Sequence, residues 1–181
     1  MNKVVAVVGM AGSGKSEVAR VFEESGFKKI RFGDITDQEV KRRGLALSEE
    51  NERYVRQETR KEHGMAAYAI LNLPRIDEAL MSSDVVVDGL YSWEEYTLLK
   101  ARYGDDLYLA AVWASPKTRY QRLAKRSVRP LTLDEAASRD AAEIERTNKG
   151  GPIAMADFTI INESSIDQLR RQAEEIVAAL R

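Results

Sequence analysis

Short, continuously apolar runs recur along this chain, separated by longer stretches with helical periodicity. Lys3–Val8, Lys28–Phe32, Val85–Asp88, Leu107–Val112 and Phe158–Ile161 are rich in β-branched residues. Most do not alternate polar with apolar positions, which is the pattern of parallel strands covered on both faces. The helical stretches between them begin on recognisable capping chemistry. Thr36…Glu39, Ser92…Glu95, Thr132…Glu135 and Ser165…Gln168 have the spacing of a capping box. Ser115-Pro116 places a proline where the first turn of a helix tolerates one.

Strand and helix therefore alternate, which predicts an α/β domain with a five-stranded parallel sheet between two helical layers and right-handed crossovers. Two stretches exceed what covering a sheet requires. Residues 34–83 form a helical insertion after the second strand, and residues 126–157 form another between the fourth and fifth. Ligands in such folds sit beyond the carboxyl ends of the strands, so both insertions are expected to hang over one cleft as flaps.

Composition narrows the classes of function. With 181 residues, 44% hydrophobic and 31% charged, one compact domain is expected. The formal net charge of -1 supplies no global field to attract nucleic acid or an anionic membrane. Without cysteine and with one histidine, a disulfide framework is excluded and a structural zinc site is not expected. Absence of cysteine fits a cytoplasmic protein. The apolar start is too short, and too quickly followed by Lys15, Glu17 and Arg20, to read as a signal peptide, and no later run has the length of a membrane span.

Directly after the first apolar run stands Gly9-Met10-Ala11-Gly12-Ser13-Gly14-Lys15-Ser16, which satisfies G-x-x-x-x-G-K-[ST]. Its glycines permit unusual backbone angles and let amides approach phosphate oxygens. The helix that begins near Lys15 adds the positive end of its dipole. Lys15 is expected to reach the β and γ phosphates of ATP, and Ser16 to ligate magnesium. Glu17 stands where a dinucleotide fingerprint needs its last glycine, so that alternative fails. Val85-Val86-Val87-Asp88 delivers a carboxylate at a strand tip, where Asp88 is expected to hold magnesium through water.

With these residues in place, the chain resembles the small P-loop kinases of the adenylate kinase and dephospho-CoA kinase group. It is most similar to an archaeal-type family described as adenylate-kinase-related or dephospho-CoA-kinase-like. The likeness runs through the phosphate loop, Gly33-Asp34, "VVVDGLYSWEEY", "ASPKTRYQRLAKR", "SRDAAE" and "IAMADFTIINESS". It implies the P-loop NTPase fold, with an acceptor-binding insertion and a small lid. Arg122 and Arg126 then correspond to arginines that contact base and triphosphate at the lid hinge, Arg139 to a lid arginine that closes on the transferred phosphoryl, and Asn162 to a residue near the adenine. A solvated basic helix is the alternative for the arginines, since Arg119, Lys125 and Arg129 crowd the same stretch.

On the acceptor side, Gly33-Asp34 matches the start of the nucleoside-monophosphate-binding insertion. Asp37 stands where adenylate kinases carry an arginine, and Tyr91 follows Asp88-Gly89-Leu90 where a second one is normal. Arg60 is the remaining candidate for an acceptor phosphate, with Arg42, Arg43 and Arg75 in reserve, and Tyr91 is expected in the cleft. The expected reaction is transfer of the ATP γ-phosphate to a nucleotide acceptor by a nucleoside-monophosphate-kinase-like enzyme, acting as a monomer or homodimer. Two alternatives stay open: a hydroxyl-directed kinase with Asp34 as base and Asp37 in support, and an ATP-binding switch or assembly factor with weak hydrolysis.

Overall fold

A computed structural model describes residues 2–128 and 130–181. Arg129, counted above among the crowded basic residues, lies outside the described residues. The strands are β1 (Val4–Val8), β2 (Lys28–Arg31), β3 (Val85–Asp88), β4 (Leu107–Trp113) and β5 (Phe158–Ile161). All pair in parallel, in the order β2-β3-β1-β4-β5. β1 is central, and all five of its residues are fully buried. Val4, Ala6 and Val8 enter one hydrophobic core; Val5 and Val7 enter another on the opposite face. That two-sided burial is why the run is continuously apolar.

Helices α1 (Lys15–Glu24) and α9 (Ile166–Leu180) cover the second face through Val18, Phe22, Leu169 and Ile176. On the first face lie α4 (Ala67–Leu80) and α5 (Trp93–Tyr103), which contribute Tyr68, Ile76 and Leu99. Fully burying a side chain of this size contributes about 1.5–3 kcal/mol. Residues 34–83 thus divide in two. α4 is the crossover helix that packs on the sheet, while α2 (Asp34–Arg42) and α3 (Glu49–His63) are the added part. The second added stretch follows α6 (Pro116–Ala124) and holds α7 (Leu133–Glu145) and the short α8 (Gly150–Ala154). A third small cluster of Ala11, Leu123, Leu131 and Ala136 packs α6 and α7 beneath the phosphate loop.

Most helix starts match their sequence signals. Thr132 and Glu135 form a complete capping box, and Ser92, Ser115 and Ser165 each accept from the amide three residues on. Thr36 is a correction. α2 begins two residues earlier, and Thr36 is buried with its hydroxyl 2.7 Å from that of Tyr68. A tertiary contact has taken the side chain that local pattern assigned to a cap. His63, the single histidine, is the last residue of α3.

Candidate active site

The cleft lies beyond the carboxyl ends of β1, β2 and β3. Gly12, Lys15 and Ser16 form one wall, with Asp88 and Tyr91 at its floor. Gly14 adopts a positive φ of 107°, and a Cβ there would stand 2.4 Å from the Asn162 amide nitrogen. Only glycine can therefore turn the chain from the loop into α1. Gly14 caps α1 without a side-chain bond, which leaves the first-turn amides available to an anion. Lys15 Nζ donates back to the Met10 carbonyl at 3.0 Å. Burial, reinforced by Lys149, lowers its pKa to about 7. Asp88 is 7% exposed at the strand tip. A capless helix start, a loop lysine and a neighbouring hydroxyl and carboxylate fit a triphosphate and its magnesium ion.

Gly9, Met10, Ala11 and Ser13 complete the loop, and the helices behind it hold it in place. Asn162 donates to the Ser13 carbonyl at 2.8 Å, and Arg122 Nη2 donates to the Asn162 carbonyl and side-chain oxygens at 3.0 and 3.3 Å. Asn162 and Arg122 therefore buttress the loop from behind. Arg119 does the same from α6. It donates to the Ala11 and Ala114 carbonyls and binds Asp140 of α7 through two bonds of 2.8 and 2.6 Å. Arg119 is 4% exposed, so this part of the basic helix is not a solvated face.

The added helices supply the other walls. Arg126 and Arg139 both reach the cleft. Arg139 donates to Glu143 at 3.2 Å and lies 3.6 Å from Glu49 across the cleft. Burial disfavours its charge, but Glu143 and Glu49 outweigh that and raise its pKa. Glu143 also takes Lys149 at 2.7 Å. Burial alone would raise the Glu143 carboxyl; Lys149, Arg139 and Lys15 hold it at about 2.

The wall contributed by β2, α2 and α3 is built from ion pairs. Arg31 Nη1 donates to Asp34 at 3.1 Å and to Asp37 at 2.6 Å, and Arg75 binds the other Asp34 oxygen at 3.1 Å. Arg56 binds Glu49 at 2.6 Å and Glu52 at 3.3 Å. Arg31, Asp37 and Arg56 line the cleft, whereas Asp34 and Arg60 do not. Arg60 instead stacks 5.2 Å above the Tyr68 ring. Arg42 and Arg43 are both held by Glu39. Tyr91 packs edge-on against Tyr68, and its ring folds back because Gly89, at φ 104°, has no Cβ to strike it. Burial pushes the Tyr91 hydroxyl pKa upward.

Residues 5–145 match the family described as "AAA domain". A UPF0200 protein of Thermococcus sibiricus is 35% identical over 98% of this chain and 95% of its own length, and one of Pyrococcus furiosus is 35% identical over 98% and 97%. The chain belongs to the UPF0200 family. Among solved structures, the family fold seen here is shared by a shikimate kinase from Bacteroides thetaiotaomicron (TM-score 0.62, 14% identity, 98% of each chain covered). It is shared too by a dephospho-CoA kinase from Campylobacter jejuni (TM-score 0.57, 14% identity, 99% and 97% covered). A gluconokinase from Sinorhizobium meliloti is similar as well (TM-score 0.60, 16% identity, 98% and 93% covered). The UPF0200 chain thus has a P-loop kinase-like fold with kinases among its structural neighbours. Among the described residues, no helix is long and apolar enough to cross a membrane.

Sequence reasoning did not find Arg31, Arg56, Arg119 or Lys149. Arg31 was read only as part of a strand, and Lys149 sits in an unremarkable Asn-Lys-Gly-Gly stretch. The stretch "SRDAAE" carries the partners of two of them, Asp140 for Arg119 and Glu143 for Lys149, but not the residues themselves.

Proposed function

We propose that this protein is a magnesium- and ATP-dependent phosphotransferase whose acceptor is a hydroxyl group on a small polar molecule. One observation carries the choice of acceptor: the wall facing the phosphate loop presents Asp37 and Glu49, and its arginines already hold carboxylates. A phosphate dianion seeks cations without counter-ions, whereas a polyhydroxyl compound hydrogen-bonds to carboxylates and arginines alike. This favours the hydroxyl reading over the monophosphate acceptor that the sequence resemblance suggested.

In this reading the loop amides and Lys15 bind the β and γ phosphates. Ser16 and Asp88 would hold the magnesium ion, which when bound would supply charge neutralisation for the phosphates. The acceptor oxygen bonds to the γ phosphorus as the bond to the β,γ-bridging oxygen breaks. The electron pair stays with that oxygen, ADP leaves, and the hydroxyl proton passes to Asp37. Asp34, held by Arg31 and Arg75 at the start of α2, orients the wall. Arg126 and Arg139 stabilise charge on the moving phosphoryl group.

A nucleoside monophosphate acceptor is the second reading, supported by Arg31 and Arg56 lining the same wall. It requires both arginines to release their carboxylates to the incoming phosphate. Asp37→Asn separates the two. For a hydroxyl acceptor, it should lower kcat by roughly 10²–10⁴ with ATP affinity unchanged, and remove an acidic limb from the pH–rate profile. Unaltered turnover in Asp37→Asn would remove the assigned base.

A further inference from the structure

Lys149 is 2% exposed, although lysine is among the residues least often buried. It occupies the turn before α8, in the stretch added between α6 and β5. Its ammonium lies 5.5 Å above the Tyr91 ring and bonds Glu143 at 2.7 Å. It lines the same cleft as Lys15, Asp88 and Arg139, between the phosphate-loop wall and the acceptor wall. Burying an ammonium costs several kcal/mol unless it is fully paired. Here the partner is one carboxylate, which it shares with Arg139. Three cations thus converge on Glu143, since Lys15 also acts on it electrostatically. That arrangement resembles how a phosphoryl group is held.

We infer that Lys149 is a catalytic residue that contacts the transferring phosphoryl group, and that Glu143 occupies its place as counter-ion until the nucleotide binds. The inference rests on the phosphotransferase reading above. During transfer, the bond between the γ phosphorus and the β,γ-bridging oxygen breaks and a bond to the acceptor oxygen forms. Lys149 exchanges the Glu143 carboxylate for equatorial phosphoryl oxygens, where charge accumulates. Tyr91 supports this by offering its ring face to the ammonium, which keeps it aimed into the cleft when Glu143 lets go.

The test needs no knowledge of the acceptor. The probes are magnesium ADP alone and magnesium ADP with aluminium fluoride, a mimic of the planar phosphoryl group. Calorimetry measures affinity. Trp93 fluorescence reports on α8, because a Cβ on Gly151 would stand 2.5 Å from that ring. Lys149→Met should bind ADP like the native protein but lose at least tenfold in affinity for the fluoride complex. Lys149→Arg should recover part of that loss. Glu143→Gln, which removes the competing charge, should tighten the fluoride complex. Equal fluoride affinity in Lys149→Met and native protein overturns the contact, and weaker fluoride binding in Glu143→Gln overturns the exchange. A native protein that binds no ADP refutes the phosphotransferase reading itself.

Discussion

Asp140→Ala tests whether α7 is a mobile lid or a wall fixed to the phosphate loop. Asp140 and Arg119 are 7% and 4% exposed, joined by bonds of 2.8 and 2.6 Å, and Tyr120 adds a third at 3.0 Å. Removing the carboxylate leaves a guanidinium buried without its counter-charge, which costs about 3–5 kcal/mol. For a chain of this size that is a fall in Tm of about 6–20 °C. Replacing both partners by apolar residues of similar bulk, Arg119→Met with Asp140→Leu, removes the orphan charge. It still strips the Ala11 and Ala114 carbonyls of their donors. The double variant should therefore be less destabilised than the sum of the singles, with a coupling of about 2 kcal/mol or more. Urea titrations followed by both circular dichroism and fluorescence give the numbers and check two-state behaviour. Asp140→Ala costing under about 1 kcal/mol, or strict additivity in the double variant, would refute the idea that this pair fastens α7 to the loop.

Two further outcomes follow from single residues. Burial raises the Glu95 carboxyl to about 7 from 4.5, against the opposing bond from the Tyr91 amide. The folded protein then binds more protons than the unfolded chain between pH 4.5 and 7, so stability should decline across that window as pH rises. Glu95→Gln, which keeps an acceptor for that amide, should flatten the decline in urea titrations at stepped pH; an unchanged slope contradicts the assignment. Lys15→Ala and Ser16→Ala should each abolish turnover while leaving the circular dichroism spectrum intact. Full phosphoryl transfer by either variant contradicts the loop's role.

The inner strands were legible because burial on both faces forces β1, β3 and most of β4 into nearly unbroken apolar runs, and Val4–Val8 is the extreme case. The edge strand β2, Lys28–Arg31, buries only Ile30. The loop was legible because its demands are local: a positive φ at Gly14, then a lysine and a hydroxyl at a helix start. Thr36 shows the limit of local reading, since its hydroxyl is spent on Tyr68, 32 positions away. The wall opposite the phosphate loop was legible only in part for the same reason. Arginine at 31 and aspartate at 37 look like independent surface charges until β2 and α2 place them 2.6 Å apart. Arg119 looked like one of several basic residues on a helix; only the packing of α7 shows which one is buried. Lys149 carries no pattern at all, because it sits in a turn and its environment comes entirely from other elements.

The central claim, that phosphate moves from ATP to a hydroxyl, is tested most directly by phosphorus NMR of a transfer screen. Polyols, hydroxy acids, sugars, dephospho-CoA, nucleosides and nucleoside monophosphates are each offered with magnesium ATP, beside a control without acceptor. The account predicts a new phosphomonoester resonance with at least one hydroxyl compound, growing as ADP appears and absent in Lys15→Ala. Transfer only to monophosphates, seen as a new phosphoanhydride resonance, or inorganic phosphate as the sole product in every arm, would contradict it.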